Sequence, residues 1–146
     1  MWPRWLGPTR NGRVAWLPST LPAKPTVFWE FPLLHADLGG IAATRNQVVF
    51  GCREQDGFQD VFTFLDAETG KLLWHLERLA AVALDYGTSP RATPLRSNAN
   101  VISQSAFGHL LRIDLATDSI RWEINFRDDF PIDTDLPWGH CGSPLI

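Results

Sequence analysis

Side chains that could act as nucleophiles are present in this chain, but their spacing does not assemble a catalytic set. The candidates are Ser89, Ser143 and Cys141. No Gly-x-Ser-x-Gly segment places either serine on the strand-to-helix turn used by hydrolases, and no histidine lies at a spacing that would bring it to one of the three. We therefore expect structural roles for these residues.

Metal ligation is the second kind of chemistry that the residue types suggest. The segment RDDFPIDTD offers carboxylate oxygens suited to calcium. Its acidic residues are Asp128, Asp129, Asp133 and Asp135. The segment lacks the glycine-containing spacing of a known calcium loop, so we favour a solvated connection between structural units. The histidines do not show zinc-ligand spacing, and we expect structural or surface roles for them. They are His35, His75, His109 and His140.

Neither the cysteines nor the glycines form a recognised cofactor-binding motif. Cys52 and Cys141 are far apart in sequence, without metal-binding or redox spacing. We expect two small, half-buried thiols on strands, and a disulfide between them stays open as an alternative. The pair Gly39-Gly40 precedes a predicted strand, so it does not predict a phosphate-binding loop.

The N-terminal segment interleaves aromatic and basic side chains, which could stack on a glycan or a base. They are Trp2, Arg4, Trp5, Arg10, Arg13 and Trp16. We favour packing of this segment along the protein surface. A formal net charge of −3 and a pI near 5.7 provide no overall basic field, so neither nucleic acid nor an anionic membrane is an expected partner. The run LAAVAL is too short to span a bilayer, and the start MWPRWLGP lacks the pattern of a secretory signal.

Two similar segments indicate how the chain is organised. LDAETGKLLW, residues 65–74, recurs as IDLATDSIRW, residues 113–122. In the first copy, the Asp66 carboxylate can accept hydrogen bonds from backbone N–H groups about two residues later, and Gly70 can adopt a positive φ. Each copy therefore predicts a β-hairpin with a tryptophan on its outgoing strand.

Short strands with turn residues between them fill the intervals that separate Trp29, Trp74 and Trp122. The first interval contains GGIAAT, QVVFGC, DVFTFLD and KLLWHLE, and the second contains RATPL, NVISQSA, GHLLRID and SIRWEIN. Each interval predicts one four-stranded unit. We also expect a strand over Thr26–Phe31 at the end of an extended leader. A third unit should begin near the C-terminus, because Ser143-Pro144-Leu145 resembles Thr93-Pro94-Leu95.

Alternation along the fourth strand of each unit predicts its buried face. In the first unit this face carries Leu72, Trp74 and Leu76. In the second unit it carries Ile120, Trp122, Ile124 and Phe126. A short helix over Leu76–Leu84 is the alternative for this region, since LERLAAVALDY has a helix-favouring composition.

Short four-stranded sheets cannot bury their apolar faces alone, and repetition at roughly 40–50 residues is typical of units that stack on one another. Radial stacking of such sheets is a β-propeller. We therefore predict an all-β propeller fragment. Residues 1–32 form a leader and one strand, 33–77 and 78–127 form two complete blades, and 128–146 begin a third.

The motif D-x-x-x-G-x-x-x-W resembles the tryptophan-docking repeat of the pyrroloquinoline-quinone-like (PQQ-like) β-propellers of bacteria. Its first copy is Asp66, Gly70 and Trp74, and its second is Asp114 and Trp122, with Asp118 in place of the glycine. The segments WPRWLGPTRNG, YGTSPRATPL and WGHCGSPLI are also similar to stretches of that family. The resemblance implies a complete ring of seven or eight blades, so further blades are needed to close it.

Membership of that family would be compatible with two functions, one non-catalytic and one enzymatic. The family includes quinone-dependent alcohol and sugar dehydrogenases, the outer-membrane assembly lipoprotein, kinase-attached propellers and other exported proteins. The dehydrogenases use an adjacent Cys-Cys pair, a Glu-Asn-Asp calcium set and a catalytic Asp, and this sequence assembles none of them. We expect a non-catalytic propeller without cofactor, periplasmic or otherwise exported, that acts as a scaffold or a binding surface for a protein or small ligand. The alternative is the N-terminal part of a PQQ-dependent dehydrogenase that binds PQQ and calcium.

Overall fold

The computed structural model describes residues 1–14, 17–33, 38–80, 84–85, 89–130 and 136–146. Within these ranges the regular structure is almost entirely β. The strands are β1 Ile41–Ala43, β2 Gln47–Arg53, β3 Gln59–Asp66, β4 Leu72–Leu79, β5 Leu95–Ser97, β6 Asn100–Gln104, β7 His109–Asp114 and β8 Ser119–Asn125, followed by one helical turn, α1 Phe126–Asp129.

The eight strands form two antiparallel sheets of four. Sheet 1 has the order β1-β2-β3-β4, and sheet 2 has the order β5-β6-β7-β8. In each sheet the chain runs from one edge to the other without a crossover, and the three-residue first strands β1 and β5 lie beside each other. The all-β class and the two four-stranded units predicted from the sequence are therefore confirmed.

The two sheets pack face to face through a shared apolar cluster, here called the inter-sheet core. It consists of Val49, Phe62 and Phe64 from sheet 1 and Val101, Leu111 and Ile113 from sheet 2. Each of the six side chains is at most 1% exposed. At about 25 cal/mol per Å² of apolar surface removed from water, a cluster of this size contributes several kcal/mol to folding.

Sheet 1 carries a second apolar cluster on its other face. Phe50, Cys52, Val61 and Leu65 form this cluster, and Trp29 and Phe31 of the leader pack against it. Strand β3 therefore alternates between two cores, and six consecutive residues within it are buried. This double burial explains why its sequence DVFTFLD is apolar on both faces.

A register shift in sheet 1 corrects the predicted buried face of β4. Leu65 pairs with Leu72 whereas Phe64 pairs with Trp74, so Leu73 is the extra residue of a β-bulge. Residues directly opposite in a ladder share a face. Trp74 therefore lies on the side of the inter-sheet core, and Leu72 lies on the opposite side, 48% exposed. The prediction that Leu72 shares a buried face with Trp74 is wrong.

The same irregularity occurs at the equivalent place in sheet 2. Ile113 pairs with Ile120 whereas Arg112 pairs with Trp122. Ile120 packs against the inter-sheet core, but Trp122 lies on the outer face beside Arg112 and is 37% exposed. The prediction that Ile120 and Trp122 share one buried face is therefore wrong, because the bulge reverses the alternation between them.

The leader differs from its predicted form. The described residues 17–33 contain no strand, so the prediction of a strand over Thr26–Phe31 is wrong. Its aromatic residues Trp29 and Phe31 lie across the face of sheet 1 instead of pairing with an edge. The helix considered for Leu76–Leu84 is also wrong over 76–79, which belong to β4. Residues 81–83 lie outside the described part of the chain.

Candidate functional site

The turn that follows β3 has the hydrogen bonds expected for its aspartate. The Asp66 carboxylate accepts from the backbone N–H of Glu68 at 3.1 Å, from that of Thr69 at 2.8 Å and from the Thr69 hydroxyl at 2.7 Å. These bonds, the Thr69 hydroxyl first, hold the pKa of the Asp66 carboxyl below its ordinary value. Gly70 has φ +70°, as its place in the hairpin requires.

Trp29 lies directly on this turn. Its indole Nε1 donates a hydrogen bond to the carbonyl oxygen of Ala67 at 3.1 Å, and its ring covers Gly70. A Cβ atom added to Gly70 would lie 2.5 Å from the ring, so glycine is required by this close approach as well as by φ. The sequence reasoning identified Trp29, Asp66 and Gly70 separately and missed their contact, because Trp29 reaches the turn from outside any strand.

The second turn has a related geometry with different partners. The Asp114 carboxylate accepts from the backbone N–H of Ala116 at 2.8 Å and from the Arg121 guanidinium at 2.7 Å. These two contacts, Ala116 first, lower the pKa of the Asp114 carboxyl. Asp118 occupies the place of Gly70 and has φ +49°, the left-handed conformation anticipated for it.

The three repeating tryptophans have three different environments. Trp29 is seated on the first turn, and Trp74 packs against the inter-sheet core, where it stacks on Phe64 with centroids 3.9 Å apart and planes inclined by 9°. Trp122 stands on the outer face of sheet 2. Trp29 and Trp74 thus each pack against an apolar cluster, whereas Trp122 is exposed.

A buried polar cluster joins the two sheets, and only Ser89 of its members was considered from sequence. The Ser89 hydroxyl donates to the Asp60 carboxylate at 2.7 Å and accepts from the backbone N–H of Ala106 at 3.0 Å. Arg53 lies 3.5 Å from the same carboxylate and also donates to the carbonyl oxygens of Gly57 and Ala80. Ser89 and Asp60 are 0% exposed, so this serine makes its hydrogen bonds inside the junction between the sheets.

The other candidate nucleophiles also have structural contacts. The Ser143 hydroxyl accepts a hydrogen bond from the backbone N–H of Thr93 at 3.1 Å. Cys141 is an exposed free thiol outside any strand, and it donates to the carbonyl oxygen of Trp138. Cys52 is 3% exposed on β2, close to the Thr63 hydroxyl. The predicted strand position is confirmed for Cys52, but its predicted half-burial is wrong because its side chain enters a core. Both parts of the prediction are wrong for Cys141, which follows a surface turn.

The three histidines within the described ranges have separate surroundings. His75 lies 3.3 Å from Glu77, His109 lies 3.0 Å from Glu123, and burial lowers the pKa of His140, with a smaller effect from Arg127. His35 falls outside the described residues.

The described part of the acidic segment bonds to the residue that begins its helical turn. Asp128 and Asp129 belong to α1, and their carboxylates accept hydrogen bonds from Asn125. Asp133 and Asp135 fall outside the described residues. Across the described ranges, no group of three or more metal-ligating side chains occurs.

The aromatic and basic N-terminal segment connects the two sheets. Trp2 makes paired backbone hydrogen bonds with Ala43 of β1, both at 2.7 Å, and the carbonyl oxygen of Pro3 accepts from the backbone N–H of Arg96 in β5 at 2.7 Å. Arg10 lies over the Trp5 ring, 5.6 Å from its centroid. The segment therefore packs on the surface, as we favoured from the sequence; Trp16 falls outside the described residues.

Among the described residues, two surface features lie on the sides of the sheets that face away from the inter-sheet core. The sheet 1 groove is an apolar depression of about 480 Å³ between the leader and sheet 1. Its lining includes Trp29, Glu30, Phe31, Ile41, Val48, Phe50 and Leu65. The sheet 2 outer face carries the pairs Arg112–Trp122 and Leu110–Ile124, with Arg121 beside them.

The geometry thus defines an all-β protein with two four-stranded antiparallel sheets packed face to face. Comparison with models of protein families gave no match to this chain, and comparison with curated proteins found no similar sequence. No helix among the described residues has the length and apolar character needed to cross a bilayer.

Proposed function

We propose that the chain is part of a PQQ-like β-propeller that acts as a non-catalytic scaffold or as a binding surface for a protein or small ligand. The observation that carries the proposal is the packing of Trp29 on the Asp66–Gly70 turn. Its indole N–H donates a hydrogen bond to the carbonyl oxygen of Ala67, and its ring lies against Gly70. This contact uses the residues of the repeat motif as a dock for a tryptophan from another part of the chain.

The burial of sheet 1 on both faces supports a stack longer than two layers. A two-sheet sandwich needs one apolar face per sheet. Sheet 1 instead packs against sheet 2 on one side and against Trp29 and Phe31 on the other. The equal strand order of the sheets and the neighbouring first strands β1 and β5 also suit blades arranged around an axis.

The non-catalytic role is supported by what the candidate residues do in the described structure. Ser89 bonds within the buried cluster, Ser143 bonds to backbone, and the repeat aspartates Asp66 and Asp114 bond to their own turns. By the same resemblance we propose a periplasmic or otherwise exported location and an association with further blades.

A dye-reduction assay tests this proposal against the quinone-dependent dehydrogenase alternative. The full-length protein, with the further blades that both readings require, is incubated with PQQ and calcium, and reduction of an artificial electron acceptor is followed with simple alcohols and sugars. We expect the rate to equal that of a sample without protein. A PQQ-dependent alcohol dehydrogenase serves as the positive control, and substrate-dependent reduction by this protein would overturn the non-catalytic proposal.

A further inference from the structure

A depression of about 400 Å³, here called the junction depression, lies where the N-terminal segment passes from sheet 1 to sheet 2. Trp2 pairs with Ala43 of β1, and the carbonyl oxygen of Pro3 accepts from the backbone N–H of Arg96 in β5. The walls are Met1, Pro3, Pro8, Thr44, Arg96 and Asn98. Because the segment and both sheets contribute walls, the depression belongs to the junction between the two units and not to a sheet face on which a further unit would pack.

Arg96 brings a positive charge to this depression without an acidic partner. Among the described residues, none of the ion pairs includes Arg96. Its Nη1 donates a long hydrogen bond of 3.4 Å to the carbonyl oxygen of Asn100, and its buried Nε has no hydrogen-bond partner in the described structure. Burial lowers the pKa of the Arg96 guanidinium. A charge that is partly removed from water is destabilising until an opposite charge meets it, so a bound anion would stabilise this site.

The other walls select the kind of anion. Met1, Pro3 and Pro8 are apolar, and the exposed Asn98 offers a side-chain N–H group at the rim. Apolar walls with a few polar groups are typical of sites for small organic ligands. The planar guanidinium matches the two oxygens of a carboxylate. One guanidinium also balances the single charge of a carboxylate, whereas a phosphate monoester carries about 1.5 to 2 negative charges at neutral pH.

We propose that the junction depression binds the carboxylate of a ligand with a short apolar body, with the Arg96 guanidinium as its counter-charge. The Asn98 amide donates to the same carboxylate, and Pro3 and Pro8 contact the apolar body. A free carboxylic acid and the C-terminal residue of a peptide both supply this chemistry. The inference rests on the binding role proposed above and names its ligand chemistry. Its failure would leave the dye-reduction result unchanged, and catalysis in that assay would leave carboxylate binding unchanged.

Two substitutions remove the site by different means. Arg96→Gln removes the positive charge, and Asn98→Asp places a carboxylate of the chain itself at the rim. Asn98 is exposed with φ +49°, a conformation that aspartate tolerates, so Asn98→Asp keeps the fold even if Arg96→Gln does not. Arg13→Gln is the matched control, because it removes the same charge from an exposed position outside the depression. Circular dichroism first verifies that the variants are folded.

Isothermal titration calorimetry of the full-length protein with hexanoate tests the proposal, and hexanamide is the neutral control ligand. Arg96→Gln and Asn98→Asp should each weaken hexanoate binding at least about tenfold, because a charge-assisted hydrogen bond is lost or already taken. Arg13→Gln should stay within about twofold of the unmodified protein. Equal affinity for hexanamide, equal affinity for inorganic phosphate at the same ionic strength, or unchanged hexanoate binding by a folded Asn98→Asp variant would each overturn the proposal.

A second titration distinguishes the two sources of the carboxylate. The ligands are the dipeptide acetyl-glycyl-leucine with a free C-terminal carboxylate and the same dipeptide with a C-terminal amide. Binding of the dipeptide acid at least about tenfold tighter than that of hexanoate assigns the site to a peptide C-terminus, and any smaller ratio assigns it to a free carboxylic acid. If neither hexanoate nor the dipeptide acid binds, or if the dipeptide amide binds as tightly as the acid, the carboxylate site is wrong.

Discussion

Sheet 1 and sheet 2 are built on the same strand order and the same bulged hairpin, yet one is buried on both faces and the other on one. Strand β3 has six consecutive buried residues, whereas Arg112 in β7 is exposed between the buried Leu111 and Ile113. The difference lies in the neighbours, because sheet 1 has the leader on its second face and sheet 2 has no described sheet there. The two sheets therefore share their local structure but should contribute unequally to the stability of the fold, because they bury different amounts of apolar surface.

The pairs Phe64–Trp74 and Arg112–Trp122 give the largest expected contrast. Phe64 is 0% exposed in the inter-sheet core, so Phe64→Ala should lower the free energy of unfolding by about 3–5 kcal/mol. Arg112→Ala, at the equivalent ladder position, should change it by no more than about 0.5 kcal/mol. Urea unfolding followed by circular dichroism measures both. Similar losses for the two variants would contradict the difference between the sheets.

Removal of a buried charge at the centre of the sheet junction should destabilise the protein more than removal of a partly exposed charge at its rim. Asp60→Asn removes a fully buried carboxylate from Arg53 and should cost about 3 kcal/mol, because a buried guanidinium then lacks its counter-charge. Glu123→Gln weakens the partly exposed pair with Arg78 and should cost less than about 1 kcal/mol. Urea unfolding compares the two variants. An equal loss of unfolding free energy would show that the Asp60 carboxylate contributes no more to stability than the partly exposed Glu123 carboxylate does.

Substitutions at the equivalent positions Gly70 and Asp118 of the two repeat turns should change the stability of the protein in opposite directions. Gly70→Ala must adopt a positive φ and displace Trp29, so we expect a loss of about 2 kcal/mol and a change in tryptophan fluorescence. Asp118→Gly relieves a positive φ and should stabilise the protein by up to about 1 kcal/mol. Thermal unfolding detects both effects. Destabilisation by Asp118→Gly would show that its side chain has a role beyond the turn.

The smallest effect concerns pH. The pKa values of the Asp66 and Asp114 carboxyls are lowered in the folded protein by hydrogen bonds to their turns. A lowered folded-state pKa contributes stability that is present above the unfolded-state pKa, about 3.9, and is lost as the pH falls through the folded-state value. Carboxyl titration by NMR should find both midpoints below that of an unfolded peptide. An ordinary midpoint for either carboxyl would contradict the observed turn bonds.

Much of the fold could be predicted from local patterns. Alternating apolar residues and turn residues located seven of the eight strands, whereas the predicted strand RATPL overlaps β5 only at Leu95. The Asp66 bonds and the positive φ of Gly70 and Asp118 followed from short-range chemistry. The bulges at Leu73 and Arg121 could not be predicted in this way, because a register shift is defined by the neighbouring strand.

The candidate site was less predictable for the same reason. Trp29 meets Gly70, and Ser89 meets Asp60 and Arg53, across long stretches of sequence. No local spacing encodes such contacts, since they depend on how the sheets and the leader pack.

The amino-acid sequence alone determined the strands, their turns and the repetition of one four-stranded unit, because backbone conformation in these elements depends on residues close to one another along the chain. Only the tertiary structure decided which face of each sheet is covered and which tryptophan packs against a core. Those outcomes depend on the one-residue bulge in each hairpin and on the layer that packs opposite it, which partly buries Trp74 and leaves Trp122 exposed.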